Sequence, residues 1–471
     1  LEFLRLDFAN VIGDTTIDEN FLSRKDIEMI EKRVLSALIE IKEEKEKKEE
    51  LSFLHLPNAY SEKYGKTIFG DTLWKAKEFI EQKAKLIREQ FSDYVQIAIG
   101  GSALGGIALY NALNSQKITG EKGNRCKIHM PDNIDPDWLA EILDSIDPGK
   151  TFLSVITKSG DTVETIANFF VFYNALKKKI PVEKLRDRLV IMTNPERGAL
   201  AELSKKEGFT LIPIPDSVHG RFSVLSPGGL MTAAVSGIDT DELLEGARVM
   251  NEATDKLNLW ENPVLLYAAI HYLVNTQKNI DKLILMPYSQ KLRTIADWYS
   301  QLVAESLGKN GKGVTPVKAL GATDQHSQLQ LYNDGPKNKL VTFFSVDKFN
   351  REIKIPAEFH EWEEYSYLHG HTINEFIDSS RRATAFSLYK NGVPNCTIHI
   401  PELIPYYMGQ LFILLEKVIP ILGKLYEVNA FNQPGVEESK EYARAMLGKE
   451  GEKYDEVRKE IKDFTERFHI N

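Results

Sequence analysis

From residue 94 onward, short apolar runs alternate with spacers long enough for helices. A first block has runs at 95–99, 127–130, 152–156, 189–192 and 209–214, and a second at 283–286, 314–319, 340–346 and 397–400. Runs of this length and continuity read as strands buried on both faces. Their alternation with helices predicts βαβ units and mainly parallel sheets, so the fold class is α/β. Two such blocks suggest a duplicated architecture. Helical patterns cover the residues up to about 92, then 241–277, 411–426 and 437–468. With 471 residues the chain exceeds one core. Four parts are expected: a helical segment 1–92, α/β domains 93–240 and 241–430, and a helical tail 431–471.

Composition removes several function classes. A net charge of −9 argues against nonspecific nucleic-acid binding, and any anionic substrate must meet cations placed locally. No apolar run approaches the ~20 residues of a membrane helix, and the first residues lack a signal-peptide layout. Cys126 and Cys396 are the only cysteines, which fits a reducing compartment, and a cytoplasmic location is expected. The Lys/Glu-dense stretch 39–51 reads as a solvated helix face.

Candidate chemistry gathers at strand ends and helix termini. Thr157-Lys158-Ser159-Gly160-Asp161-Thr162 joins a strand to a helix and offers hydroxyls, a lysine and backbone N–H groups to an anion. Taken alone, it reads equally as a βα turn with Ser and Thr caps. Gly100-Gly101-Ser102 permits close backbone approach, but it is not the dinucleotide fingerprint, and sugar contact and simple packing both fit it. Arg221 lies in His219-Gly220-Arg221-Phe222-Ser223, where a fixed guanidinium would suit an oxyanion. Gln301 and Glu305 share one helix face. Glu305 sits in the last turn, where the dipole disfavours a carboxylate, as a general base requires; pairing with Lys309 is the plainer alternative. His326 lies in a polar loop, and Lys440 near a helix start, where a cation is unfavourable. His369-Gly370-His371 lacks a third ligand at convincing spacing, so no metal is expected.

Together and in this order, these segments resemble the glucose-6-phosphate isomerase family over roughly residues 94–445. Residues 431–440, Phe-Asn-Gln-Pro-Gly-Val-Glu-Glu-Ser-Lys, fit the family pattern [FY]-[DN]-Q-x-G-V-E-x-x-K. Gly220 to Ser223 match a second signature, and 301–309 and 324–327 match the catalytic segments. One departure is His219, where the family usually has glycine.

The resemblance implies two αβα sandwich domains of the sugar-isomerase type with terminal helices. It implies aldose–ketose isomerisation of glucose 6-phosphate and fructose 6-phosphate through an enediolate, in glycolysis and gluconeogenesis, without a cofactor. Glu305 would move the proton, Arg221 stabilise the enediolate, and His326 and Lys440 assist ring opening. Thr157, Lys158, Ser159 and Thr162 would hold the phosphate. Gly101, Ser102, Gln301 and Gln433 would contact the sugar, with Glu164 near His326. His326 would come from the neighbouring subunit of a homodimer. Activity on mannose 6-phosphate as well, and a non-catalytic sugar-phosphate-binding module, are the alternatives.

Overall fold

The computed structural model describes residues 2–13, 19–64, 67–114 and 126–465. Among the described residues, ten strands form two five-stranded sheets. In chain order they are β1 (Arg5–Asp7), β2 (Asp93–Ile97), β3 (Lys127–His129), β4 (Thr151–Ile156), β5 (Leu189–Thr193), β6 (Thr210–Pro213), β7 (Lys282–Pro287), β8 (Thr315–Lys318), β9 (Lys339–Lys348) and β10 (Asn395–Glu402). The first sheet runs β3-β2-β4-β5-β6 and is parallel throughout. The second, read as β8-β7-β9-β10-β1, repeats the inner order of the first, with its second strand at the edge and its first beside it. Only β1 runs antiparallel, pairing Arg5 with His399.

The uninterrupted apolar runs have a physical reason. In β2 and β4 every residue is buried. Alternate side chains enter different cores: Tyr94, Phe152 and Val190 on one face, Val95, Leu153 and Ile191 on the other. The second sheet divides in the same way, with Leu283 and Leu340 on one face and Ile284 and Val341 on the other. Each sheet is therefore the middle layer of a three-layer αβα sandwich.

Several sequence expectations are corrected. The first 92 residues are not wholly helical, because β1 supplies the outer strand of the second sheet. The stretch 39–51 is not one solvated face. The helix Arg24–Glu44 ends inside it, Ile41 and Leu51 are buried, and Lys424 bridges Glu40 at 2.8 Å and Glu44 at 3.0 Å. The pattern at 241–277 is two helices, Thr240–Ala253 and Pro263–Lys278, the second capped by Asn262. The tail is likewise two helices, Glu437–Met446 and Glu452–Thr465, broken around Gly448 and Gly451. The end of the expected 437–468 helix lies outside the described residues.

The helix Pro405–Tyr426 is buried on nearly every side and crosses the helix Thr240–Ala253 at van der Waals distance. Gly246 and Gly409 allow that crossing. A Cβ on Gly246 would fall 1.8 Å from the Tyr406 carbonyl oxygen, and one on Gly409 2.0 Å from that of Leu243. Gly246→Ala should therefore destabilise the fold by about 1–3 kcal/mol through overpacking. A lowered midpoint in urea unfolding checks this, and an unchanged midpoint refutes it.

Candidate active site

In an open parallel sheet, ligands bind beyond the carboxyl ends of the strands, at the point where strand order reverses. In the first sheet that point lies between β2 and β4. Beyond β2 come Gly100 and the helix Gly101–Leu113, and beyond β4 come the 157–162 turn and the helix Val163–Lys177. Both segments singled out in the sequence meet there.

The turn is a hydroxyl cradle. Thr157 Oγ1 lies 2.7 Å from Thr162 Oγ1 and 3.5 Å from Ser159 Oγ, and Ser159 Oγ lies 3.4 Å from Thr162 Oγ1. Gly160 adopts φ +72°, in the left-handed region that favours glycine, and its neighbour across the turn is Gly198. Lys158 Nζ donates to the Asp216 carbonyl at 3.0 Å. Burial lowers the pKa of Lys158, with Asp216 opposing and Arg197 and Arg221 adding to the fall. The cradle thus has a cation that is already short of solvent, which strengthens its attraction for an anion.

Arg221 joins the two halves of the molecule. It is 2% exposed. Its Nε donates to Ser306 Oγ at 2.8 Å, Nη1 to Glu305 Oε2 at 3.2 Å and to Gln433 Oε1 at 2.9 Å, and Nη2 to the Ala430 carbonyl at 2.7 Å. Burial works against its charge, and the Glu305 carboxylate offsets part of that cost. Glu305 is not paired with Lys309. Its Oε1 accepts from Gln301 Nε2 at 2.9 Å, while Lys309 donates to the Ser306 and Asn429 carbonyls at 2.8 and 2.5 Å. Gln301 Oε1 is buried and, among the described residues, has no hydrogen-bond partner, so an acceptor is left free beside Gly100. Lys309 is pushed down to about 8, first by burial and then by Arg221, with Glu305 opposing.

Backbone contact brings Arg221 into place. A Cβ on Gly101 would lie 2.4 Å from the Gly220 carbonyl carbon and 2.5 Å from Arg221 N, and Ser223 Oγ donates to the Gly101 carbonyl at 3.3 Å. A cleft of ≈ 890 Å³ lies beside this contact, bordered by its neighbours Ser102 and Gln433, while Gly101, Arg221, Gln301 and Glu305 themselves lie outside its lining. Ser102, the whole hydroxyl cradle, Lys158, Glu164, Gln433 and Lys440 line it. Lys440 pairs with Glu437 at 2.9 Å.

The chain matches the phosphoglucose isomerase family model over residues 75–464. The chain belongs to the phosphoglucose isomerase family. It is 42% identical to the glucose-6-phosphate isomerase of Carboxydothermus hydrogenoformans, over 97% of each chain. It is 35% identical to that of Methanocaldococcus jannaschii, over 76% of this chain and 84% of the other. Among solved structures, the hypothetical protein TT0462 of Thermus thermophilus superimposes with TM-score 0.81 and 33% identity, over 95% of this chain and 100% of that one. The Chlamydia trachomatis glucose-6-phosphate isomerase has the same fold, with TM-score 0.71 over 83% of this chain and 77% of that one.

Of the residues that the phosphoglucose isomerase pattern singles out, His326 stands apart. It is exposed on the short turn Thr323–His326, and the loop around it contributes nothing to the cleft. The loop itself is anchored: Leu320 N and Ser327 Oγ donate to Asp324 at 2.7 and 2.6 Å, and Gln325 bonds Ser380 and Thr384 on the helix Ile373–Lys390. His371 of the His-Gly-His segment pairs with Glu375 at 3.3 Å, and no group of three or more potential metal ligands occurs among the described residues. No described helix is long and apolar enough to cross a membrane.

Sequence reading missed Ser306, whose hydroxyl is buried under Arg221, and the carbonyls of the 430–432 turn. Ser306 stands next to Glu305, but nothing in its spacing marks it as an acceptor. Also missed was the apolar wall of the cleft, formed by Leu139, Leu143, Ala167 and Val171.

Gly101→Ala should displace the Arg221 turn and lower kcat/KM by about 10²-fold, the scale of an ångström-sized misplacement at reacting atoms. Steady-state kinetics on the folded variant would check this, and near-normal kcat/KM would refute the backbone contact as an aligning device.

Proposed function

We propose that the protein interconverts glucose 6-phosphate and fructose 6-phosphate by ring opening and proton transfer through a cis-enediolate, a step shared by glycolysis and gluconeogenesis. The observation that carries the reading is a buried guanidinium 3.2 Å from a helix-end carboxylate, beside a cleft that begins at a hydroxyl cradle.

Thr157, Ser159 and Thr162 with the helix N-terminus would take the phosphate, and Lys158 would turn from the Asp216 carbonyl towards it. Gly101 and Ser102 would border the sugar, with Gln301 and Gln433 orienting its hydroxyls. His326 and Lys440 would move protons at the ring oxygen and the C1 hydroxyl. Glu305 would then take the C2 proton and return it to C1. Arg221 would hold the enediolate oxygens, and its fixed position means that little reorganisation accompanies the charge as it develops. Holding the phosphate far from C1 and C2 aligns both carbons with one base.

The site is shared in this proposal: His326 enters from the second copy of a homodimer, near Glu164. Its exposure and its absence from the cleft lining support this. So do the exposed aromatic side chains Phe359, Trp362, Tyr365 and Tyr367 between β9 and the helix Ile373–Lys390. The division at 1–92, 93–240, 241–430 and 431–471 is part of the same proposal. So is a cytoplasmic location, which suits two buried thiols with no disulfide.

Glu305→Gln should lower kcat by about 10³-fold or more while sparing fructose 6-phosphate binding in calorimetry. Near-normal turnover would remove Glu305 from its role. Mixing inactive Glu305→Gln and His326→Ala chains should restore about a quarter of wild-type activity if each site draws on both copies of a twofold dimer. No recovery, with subunit exchange demonstrated, would contradict the shared site.

A further inference from the structure

His219 takes no part in the chemistry above, yet it stands where the family usually has glycine. Its ring lies 5.9 Å from that of Phe431, with 33° between the planes. Phe222 also approaches Phe431, at 5.6 Å with 42° between the planes, and itself lies 4.5 Å from Phe53. Arg221, between His219 and Phe222 in sequence, bonds the carbonyls of Ala430 and Asn432, which flank Phe431. One short turn therefore grips one aromatic residue by two rings and its neighbours' carbonyls by a guanidinium. Gln433, two residues beyond Phe431, bonds the same guanidinium.

We propose that His219 is a positioning residue: with Phe222 it clamps the Phe431 ring and so holds the 430–433 segment, and Gln433 with it, in register with Arg221. The proposal rests on the isomerase reading above. A ring pair at this separation and tilt is an ordinary favourable aromatic contact. The clamp needs an uncharged ring, because Lys158, Arg221 and Lys309 already bring positive charge to this corner and Asp216 is the carboxylate beside them. Burial first, then Lys158 and Arg221, push His219 down to about 4, with Asp216 opposing and Lys309 adding a smaller fall. The imidazole is therefore neutral at neutral pH and packs as a ring.

The test compares His219→Ala, His219→Phe and His219→Gln in the full chain, by steady-state kinetics with fructose 6-phosphate and by thermal midpoint. The alanine variant should lose about tenfold in kcat while KM stays within about twofold, because the phosphate cradle lies on other elements. Phenylalanine should restore kcat and leave the pH–rate profile between about pH 5 and 9 as in wild type, since the clamp needs no proton. Glutamine, polar but without a ring, should behave like alanine. Wild-type kcat in the alanine variant would overturn the clamp. So would restoration by glutamine and not by phenylalanine, or a titration limb lost in the phenylalanine variant. If the alanine variant does not fold, the phenylalanine–glutamine contrast still decides. The wild-type chain in the same assay separates the two levels: no turnover of fructose 6-phosphate by folded wild-type protein would sink the isomerase reading, whatever the His219 variants do.

Discussion

A guanidinium that is 2% exposed must be paid for with partners, and the architecture around Arg221 supplies them from three separate parts of the chain. Ser306 and Glu305 come from the helix Arg293–Leu307, the carbonyls and Gln433 from the 430–433 turn, and the backbone support from Gly101. Each of those parts is in turn fixed by something bulkier: the two sheets, the buried Pro405–Tyr426 helix and the Phe53–Phe222–Phe431 ring stack. Removing the arginine would leave several buried acceptors without a donor, a cost of roughly 1–3 kcal/mol each. The catalytic role proposed for this residue is therefore hard to separate from its part in stability.

In the reaction proposed, the same ion pair would set up the chemistry. A carboxylate at a helix C-terminus is placed against the dipole, and Glu305 tolerates that position because a fixed cation and the Gln301 amide face it. The partner that helix periodicity suggests, Lys309, is spent on capping carbonyls instead. Glu305 thus keeps Arg221 and Gln301 as its hydrogen-bonded neighbours.

Most strands were legible in the sequence because parallel strands covered on both faces are apolar at nearly every position, as 152–156, where only Ser154 is polar, and 189–192 are. β1 was not: Arg5-Leu6-Asp7 only half-buries its middle residue and exposes the other two, and its partner strand lies almost 400 residues further along the chain. The single long pattern at 241–277 hid a break, since Asn262 caps a new helix without interrupting the polarity pattern clearly. At the site, the cradle was legible as local turn chemistry. The burial of Arg221 was not, because its partners lie 84 and 212 residues away, beyond what any local pattern carries. The exposure of His326 follows from packing alone. Only the family resemblance pointed to a use for an exposed side chain that does not line the cleft.

The antiparallel edge strand has a consequence for synthesis. β1 leaves the ribosome almost 400 residues before the strand it must join, β10. The first sheet, built wholly from residues 93–213, can close while the second is still being made. The opening residues must meanwhile wait without their sheet, and closing so long a loop is slow. Completion of the second sheet is thus a late event that reports on translation having passed β10. A ribosome stalled before residue 395 would carry a formed cradle but an uncovered sheet edge, open to pairing with another chain.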